Sequence, residues 1–366
     1  MADLVAAVVV SNHPNTSGTS PLPPASCSID ESYKYVFLPV CYSLTFLFSL
    51  ILNSVVLLGG GRRWNTSLIY MVNLATTDLM YGLSLPFLVA SYVMKDSWVF
   101  GDFMCRLVRF LFYFNLYCSI FFLTCISVHR YLGICHPMRT ITLESKRVVK
   151  GTCALVWVVV FILTCPIFRF AQTGYYMNCW DDAIDKEFAD YVPYGIVLHL
   201  LGFFVPFIII GWCYSQVVRT IFQSLRSPPS SIESGDDGPG YSNYIRRRRK
   251  SIKTIVTITL MFALCFLPFH VTRTLFLLLR RGQIGGCNAM KAVSICYKVT
   301  RPLASCNAWL NALLYFLIGD KGAPCSVVNG SCFVYCIWLF FLPFLNGKYR
   351  HRHLLVGGVI SVMQTD

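Results

Sequence analysis

Charged residues are scarce in this 366-residue chain, and acidic residues are the scarcest of them. Only 13% of the residues are charged and 55% are hydrophobic, with 17 Asp and Glu against 31 Lys and Arg. A soluble domain cannot bury so much apolar surface, whereas a protein with several membrane-spanning helices requires it. We attribute the formal charge of +14 to loops that face anionic lipid, and we do not predict nucleic-acid binding.

The sequence also lacks common catalytic and transport signatures. It contains no HExxH, no GxSxG and no paired acids at membrane depth, so we predict neither an enzyme nor a metal site. Inverted repeats and broken helices, which are usual in transporters, are not evident either. The first ten residues have no basic n-region, and we expect the first span to direct insertion in place of a cleaved signal peptide.

Seven apolar runs approach the roughly 20 residues that a helix needs to cross a bilayer. They cover residues 36–58, 68–92, 103–128, 149–168, 191–221, 252–279 and 292–318. Lys and Arg are concentrated after the first, third and fifth runs, and the segment after the fourth run is acidic. The positive-inside rule then places the N-terminus outside and the C-terminus in the cytoplasm. The predicted fold class is an all-α membrane protein with a seven-transmembrane helix bundle.

The predicted bundle, residues 36–318, divides the chain into three regions. An extracellular tail, residues 1–35, precedes it, and Asn15 in this tail lies in a glycosylation sequon. A stretch rich in Pro, Gly and Ser predicts a flexible cytoplasmic loop at about 224–245. A cytoplasmic tail, residues 319–366, follows the bundle.

Four basic side chains lie in or beside the apolar runs: Arg109, His270, Arg273 and Arg301. A charge at membrane depth is costly, so such a residue indicates a functional site and a partner. The runs contain almost no acidic residues. We therefore expect the partner to be an anionic ligand with several charges, such as a nucleotide.

Aromatic residues accompany these cations at helical spacing. Phe112 and Tyr113 follow Arg109 at i+3 and i+4, and Tyr297 precedes Arg301 by four residues. Guanidinium groups bind phosphate oxygens bidentately, and an aromatic ring can stack on a base. The pattern therefore predicts a pocket that binds a nucleotide.

Other interpretations of these basic residues stay open. A basic side chain near a helix end can extend to the membrane surface without binding a ligand. We favour this interpretation for Arg280 and Arg281, and it is an alternative for Arg109. His270 alone is more often a hydrogen-bonded core residue than a ligand contact.

Seven short motifs occur in order, one in each predicted span. They are Leu52-Asn53, LATTD ending at Asp78, His129-Arg130-Tyr131, Trp157, Pro206, CFLP at 265–268 and NALLY at 311–315. Together they resemble the rhodopsin-like (class A) G-protein-coupled receptors, over about residues 27–321. The resemblance implies a multi-pass protein of the plasma membrane that contacts membrane lipid and a heterotrimeric G protein.

Two further strings are similar to the nucleotide-binding signatures of the purinergic receptors, in the branch that answers uridine and adenine triphosphates. They are LPFHVTRT at 267–274 and YKVTRPLAS at 297–305. This resemblance implies a receptor for extracellular UTP or ATP, with UDP as a further agonist, that signals through Gq, phospholipase C and calcium release. The alternatives are a receptor for a nucleotide sugar, a lysophospholipid or a dicarboxylate, and an organic-anion transporter.

The family resemblance also implies roles for several pairs and clusters. It implies disulfides between Cys105 and Cys179 and between Cys27 and Cys287. The expected G-protein switch comprises Arg130, Tyr131, Asn311 and Tyr315, and an allosteric sodium ion is expected at Asp78, Ser119, Asn307 and Asn311. A structural hydrogen-bonded network is the alternative for that last cluster.

The chain departs from the family pattern in span seven and in the tail. Ala312 stands where the family motif has proline, which restores a backbone donor and predicts a straighter helix. Residues 322–347 form a hydrophobic segment that looks inserted. Our hypothesis is a retained intron or a mispredicted exon, and a palmitoylated or re-entrant tail is the alternative.

Overall fold

The computed structural model describes residues 32–59, 66–136, 145–174, 178–179, 187–226, 252, 254–282 and 286–318. Six segments in this part of the chain are helical, long and apolar enough to cross a membrane: Lys34–Gly59, Thr66–Val93, Gly101–Cys135, Lys146–Phe170, Phe188–Thr220 and Thr254–Gly282. They coincide with the first six predicted spans, and the seventh predicted span is helical too. The predicted all-α membrane bundle is confirmed, whereas the orientation of its termini stays a prediction.

The seven spans contain α-helices and two π-helical turns. The α-helices are α1 (Lys34–Gly59), α2 (Thr66–Val93), α3 (Gly101–Cys135), α4 (Lys146–Thr164), α5 (Ile167–Phe170), α6 (Phe188–His199), α7 (Val205–Arg226), α8 (Leu267–Gly282), α9 (Gly286–Ser305) and α10 (Asn307–Ile318). Span 5 passes from α6 through turn π1 (Leu200–Phe204) into α7, and span 6 enters α8 through turn π2 (Phe262–Phe266). Span 7 comprises α9 and α10, which are separated at Cys306.

Local sequence explains several helix ends. Helix α1 ends at Gly59, the first of three consecutive glycines, and glycine is a poor helix former. Helix α4 begins after Ser145, whose Oγ accepts a hydrogen bond from the Val148 N–H at 3.3 Å, as an N-cap should. The loop after α2 is fastened to α1, because Asp96 forms a salt bridge with Lys34 and accepts a hydrogen bond from the Tyr35 hydroxyl at 3.2 Å.

Helix α3 lies at the centre of the bundle, and most of its residues between Cys105 and Ser127 are buried. Span 5 approaches it very closely at Gly202. A Cβ atom at this position would lie 2.5 Å from Cε1 of Tyr117. Only glycine fits there without displacing the tyrosine ring.

The two π-helical turns pack against one another through aromatic rings. Phe203 of π1 stacks on Phe262 of π2 at 6.2 Å, and on His270 of α8 at 4.1 Å. π-Helical turns are rare and often occur at functional sites. Here they lie at the level where spans 5 and 6 meet α3, directly below part of the predicted pocket.

Candidate functional site

Arg109 is held by the loop that a disulfide ties to its own helix. It is 5% exposed, and its Nη2 donates a hydrogen bond to the Cys179 carbonyl at 2.7 Å. The predicted Cys105–Cys179 disulfide is present, one turn before Arg109 on α3. We call this end of the bundle the outer end and the opposite end the inner end.

Polar contacts reinforce this attachment of the loop. Asp102 accepts hydrogen bonds from the Thr173 N–H at 2.9 Å and from Arg106 Nε at 2.6 Å. Arg106 also donates to the Phe168 carbonyl at 2.5 Å. Residues one helical turn apart on α3 therefore bind the loop, and this attachment places the Cys179 carbonyl beside Arg109.

Arg273 of α8 is fully buried and surrounded by aromatic rings. Its guanidinium lies 4.7 Å from the ring centre of Tyr297, 5.5 Å from that of Tyr191 and 5.9 Å from that of Phe276. Its Nη2 donates a hydrogen bond to the Tyr191 hydroxyl at 2.5 Å. Tyr297 was predicted as a pocket residue, but Tyr191 and Phe276 were not.

Arg301 of α9 is 6% exposed, and its guanidinium lies over the ring of Phe112 at 4.9 Å. Tyr42 and Tyr81 are within electrostatic reach of both Arg301 and Arg109. The structure therefore brings these two arginines, from spans 3 and 7, into one neighbourhood.

Aromatic rings connect this neighbourhood to Arg273. Phe112 packs edge-on against Phe269 at 5.5 Å, and Phe269 contacts Tyr297 at 5.9 Å. Tyr113 is 1% exposed and packs edge-on against Phe112 at 5.0 Å. The arrangement combines guanidinium groups from three spans with aromatic rings between them, which suits a ligand with anionic groups and a flat ring.

His270 lies in the aromatic core between spans 5 and 6. Its Nδ1 donates a hydrogen bond to the Phe266 carbonyl at 2.8 Å, and its ring also contacts those of Tyr117 and His199 at 5.8 and 5.3 Å. These contacts are those of a hydrogen-bonded core residue, the alternative that the sequence left open. Its role in ligand binding stays a prediction.

Deeper in the bundle, the carboxylate of Asp78 accepts hydrogen bonds from amide groups. Asn115 Nδ2 donates to it at 2.7 Å, and Asn311 Nδ2 lies 3.0 and 3.2 Å from its two oxygens. Asn311 also donates to the Ser119 hydroxyl at 3.1 Å. Asn307 is 1% exposed, yet its amide makes no hydrogen bond within the described part of the chain.

The cluster therefore differs from the predicted one by the addition of Asn115. Sequence alone did not single out Asn115, although it precedes Ser119 by one helical turn and could have been found from that spacing. The contacts form a hydrogen-bonded network around one buried carboxylate. A bound sodium ion stays a prediction.

The predicted switch residues lie toward the inner end of the bundle. Arg130 Nη2 donates to the Ser67 hydroxyl at 3.2 Å. The Tyr131 hydroxyl lies 3.1 Å from Nε2 of His136, and its ring packs on Trp212 at 5.1 Å. The hydroxyl oxygen of Tyr315 lies 3.0 Å from the position of a Cβ built at Gly59.

The Asn311-to-Tyr315 motif lies in α10, which is continuous through Ala312. Ala312 is 3% exposed and packs in a small core with Val56 and Ala75. The absence of proline at this position thus allows α10 to pack closely against spans 1 and 2.

Some predictions fall outside the described residues. They concern Asn15, Cys27, the 224–245 loop beyond residue 226 and the tail from residue 319, including the 322–347 segment. Cys287 is disulfide-bonded, and its predicted partner is Cys27, so this pairing stays a prediction.

Comparisons with known proteins agree over the whole bundle. A family model described as 7 transmembrane receptor (rhodopsin family) matches residues 49–315. The Y-type purinoceptor 3 of Meleagris gallopavo is 37% identical over 343 residues, which cover 91% of this chain and 96% of that protein. The Y-type purinoceptor 2 of Homo sapiens is 42% identical over 301 residues, covering 81% of this chain and 76% of that protein. The Y-type purinoceptor 4 of Homo sapiens is 40% identical over 315 residues, covering 83% and 82%.

Proposed function

The chain belongs to the rhodopsin family of seven-transmembrane receptors and, within it, to the Y-type purinoceptors, and on this premise we propose that it is a cell-surface receptor for an extracellular nucleotide. As a member of this family it is a multi-pass protein of the plasma membrane and a G-protein-coupled receptor, and it is not an enzyme. The proposal concerns what it binds and how it signals.

One observation carries the proposal: Arg109, Arg273 and Arg301 are buried in the outer half of one bundle, with aromatic rings between them. Guanidinium groups form short, charge-assisted hydrogen bonds with phosphate oxygens, often two at a time. An aromatic ring offers a face on which a base can stack. A nucleotide supplies both the phosphates and the base.

The preferred agonists that we propose are triphosphates, UTP and ATP, with UDP as a further agonist. This choice is supported by the resemblance of the 267–274 and 297–305 strings to the triphosphate branch. The same resemblance supports coupling through Gq to phospholipase C and calcium release. Agonist binding would favour the state in which the inner ends of spans 3 and 6, near Arg130, move apart.

Calcium imaging tests the proposal directly. Cells without endogenous nucleotide receptors express the chain with an N-terminal epitope tag, and surface staining establishes that it reaches the membrane. UTP, UDP, ATP and ADP are added separately, with and without a Gq inhibitor. We expect a concentration-dependent calcium rise that the inhibitor abolishes.

Silence toward all four nucleotides, with the receptor at the surface, would overturn the nucleotide assignment. A response to a nucleotide sugar, a lysophospholipid or a dicarboxylate in the same cells would then identify the alternative anionic ligand. A nucleotide response that survives the inhibitor would retain the ligand and reject the Gq assignment.

A further inference from the structure

The Tyr191 hydroxyl makes a hydrogen bond that orients Arg273. Tyr191 lies in the first turn of α6 and is 5% exposed, whereas Arg273 belongs to α8. The Tyr191 hydroxyl accepts a hydrogen bond from Arg273 Nη2 at 2.5 Å. A side chain of span 5 therefore determines the orientation of a cation that span 6 provides.

Packing holds Tyr191 in this position. Its ring contacts Phe170 edge-on at 5.2 Å. With Phe170, Val192 and Leu277 it forms one buried hydrophobic cluster. These neighbours come from the outer ends of spans 4, 5 and 6, so the ring cannot turn away from Arg273 without disturbing all three.

The hydroxyl does something that the surrounding rings cannot do. The rings of Phe276 and Tyr297 stack on one another at 5.5 Å, and both lie near the guanidinium of Arg273. A ring face attracts a guanidinium but does not choose which of its edges points where. A hydrogen bond is directional, so the Tyr191 hydroxyl selects the edge of Arg273 that is left facing the other side.

Arg109 and Arg301 are held differently. Arg109 donates to a backbone carbonyl, that of Cys179, and Arg301 lies over the Phe112 ring. Neither contact can be deleted by removing a single side-chain oxygen. The Tyr191–Arg273 contact can be, because phenylalanine keeps the ring of tyrosine and lacks only its hydroxyl.

We propose that Tyr191 is a positioning residue for the phosphate group of the ligand, acting through Arg273. The inference rests on the proposed nucleotide-binding function and adds to it a residue that the sequence did not indicate. A guanidinium that is already oriented loses less conformational freedom when the ligand binds, which raises affinity. Tyr191 thereby contributes to potency without being one of the cations.

A double-mutant cycle with Arg273 tests the proposal. Concentration–response curves for UTP, UDP, ATP and ADP are measured for wild type, Tyr191→Phe, Arg273→Ala and the double variant, at matched surface expression. We expect Tyr191→Phe to raise the half-maximal concentration of the most potent agonist about three- to tenfold, in the range of one hydrogen bond to a charged group. In the Arg273→Ala background the same change should have no further effect.

Tyr194→Phe provides a matched control. Tyr194 lies one turn further along α6, and its hydroxyl donates to the Leu163 carbonyl at 2.8 Å, not to a cation. Its removal should change the half-maximal concentration less than about twofold, as expected for a change away from the site. If a variant reaches the surface poorly, saturation binding of a radiolabelled nucleotide, expressed per receptor, replaces the calcium measurement.

The outcomes separate this inference from the proposed function. A wild-type receptor that answers no nucleotide would overturn both. A responsive wild type with a Tyr191→Phe curve that superimposes on it would overturn the role of Tyr191 alone. The same result follows if the shift persists undiminished in the Arg273→Ala background, because Tyr191 would then act on folding and not through Arg273.

Discussion

The outer and inner halves of the bundle treat buried charge in different ways. In the inner half, the single carboxylate of Asp78 accepts hydrogen bonds from the amides of Asn115 and Asn311, so the chain itself supplies donors for the charge. In the outer half, arginines are oriented by a carbonyl, a hydroxyl and aromatic faces. The first arrangement stabilises the fold, whereas the second suits an anion that arrives from outside.

The largest expected effect comes from breaking the outer arrangement. Arg273→Ala and Arg301→Ala should each lower nucleotide potency roughly tenfold to a hundredfold, since a hydrogen bond to a charged group contributes about 1.5–3 kcal/mol. Calcium concentration–response curves at equal surface expression measure the shift. Arg281→Ala is the control, because Arg281 is exposed at the end of α8 and should have little influence. Curves that coincide with wild type for both pocket variants would contradict the assignment of the outer half.

The next effect concerns the contact between spans 3 and 5 that separates the halves. Gly202→Ala places a methyl group 2.5 Å from the Tyr117 ring, and overpacking of this kind costs about 1–3 kcal/mol. We expect a clear loss of surface receptor by flow cytometry. Gly211→Ala, in the same span, meets no atom within 4 Å and should be neutral or stabilising. Equal surface levels for the two variants would show that the close approach is not required.

Depth along each helix was predictable from the sequence, but the neighbours of each side chain were not. Arg109 and Arg130 are predicted at opposite ends of one helix, because each residue rises about 1.5 Å, and α3 carries both. Phe112 was expected to accompany Arg109 of its own helix. In the structure its ring lies under Arg301 of span 7, a contact that depends on how two helices are rotated.

The residues that sequence reasoning missed share this dependence. Tyr191 and Asn115 became apparent only through their contacts with Arg273 of span 6 and Asp78 of span 2. Both are unremarkable within their own helices, since neither carries a charge that a hydrophobic run makes conspicuous. Charged residues in apolar runs are visible in a single sequence, whereas the neutral groups that orient them are visible only in the fold.

A smaller effect is expected in the inner network. Asn115→Ala removes a donor from the buried carboxylate of Asp78, which should lower the stability of the receptor by about 1–3 kcal/mol. The thermal inactivation temperature of solubilised receptor measures this loss. Asn307→Ala is the matched comparison, because the Asn307 amide makes no hydrogen bond within the described residues. A larger loss for Asn307→Ala than for Asn115→Ala would mean that the network is organised differently, for example around an ion.

The smallest effect is expected at the surface of the outer end. Asp102→Asn weakens the partly exposed salt bridge with Arg106 but keeps an oxygen that can accept from Thr173. Such exposed pairs contribute at most about 1 kcal/mol. Nucleotide potency should therefore change less than about fivefold in the calcium assay. A loss as large as that of Arg273→Ala would show that the salt bridge, and not the Cys105–Cys179 disulfide, controls the position of the loop.

Saturation binding of radiolabelled UTP or ATP to membranes tests most directly whether the outer arginines hold the phosphates. Wild type is compared with a variant in which Arg109, Arg273 and Arg301 are all replaced by glutamine, which preserves polarity and removes the charge. We predict saturable binding to wild type that excess unlabelled nucleotide displaces, and no measurable saturable binding to the triple variant at equal receptor density. Equal affinity in the two receptors would contradict the account.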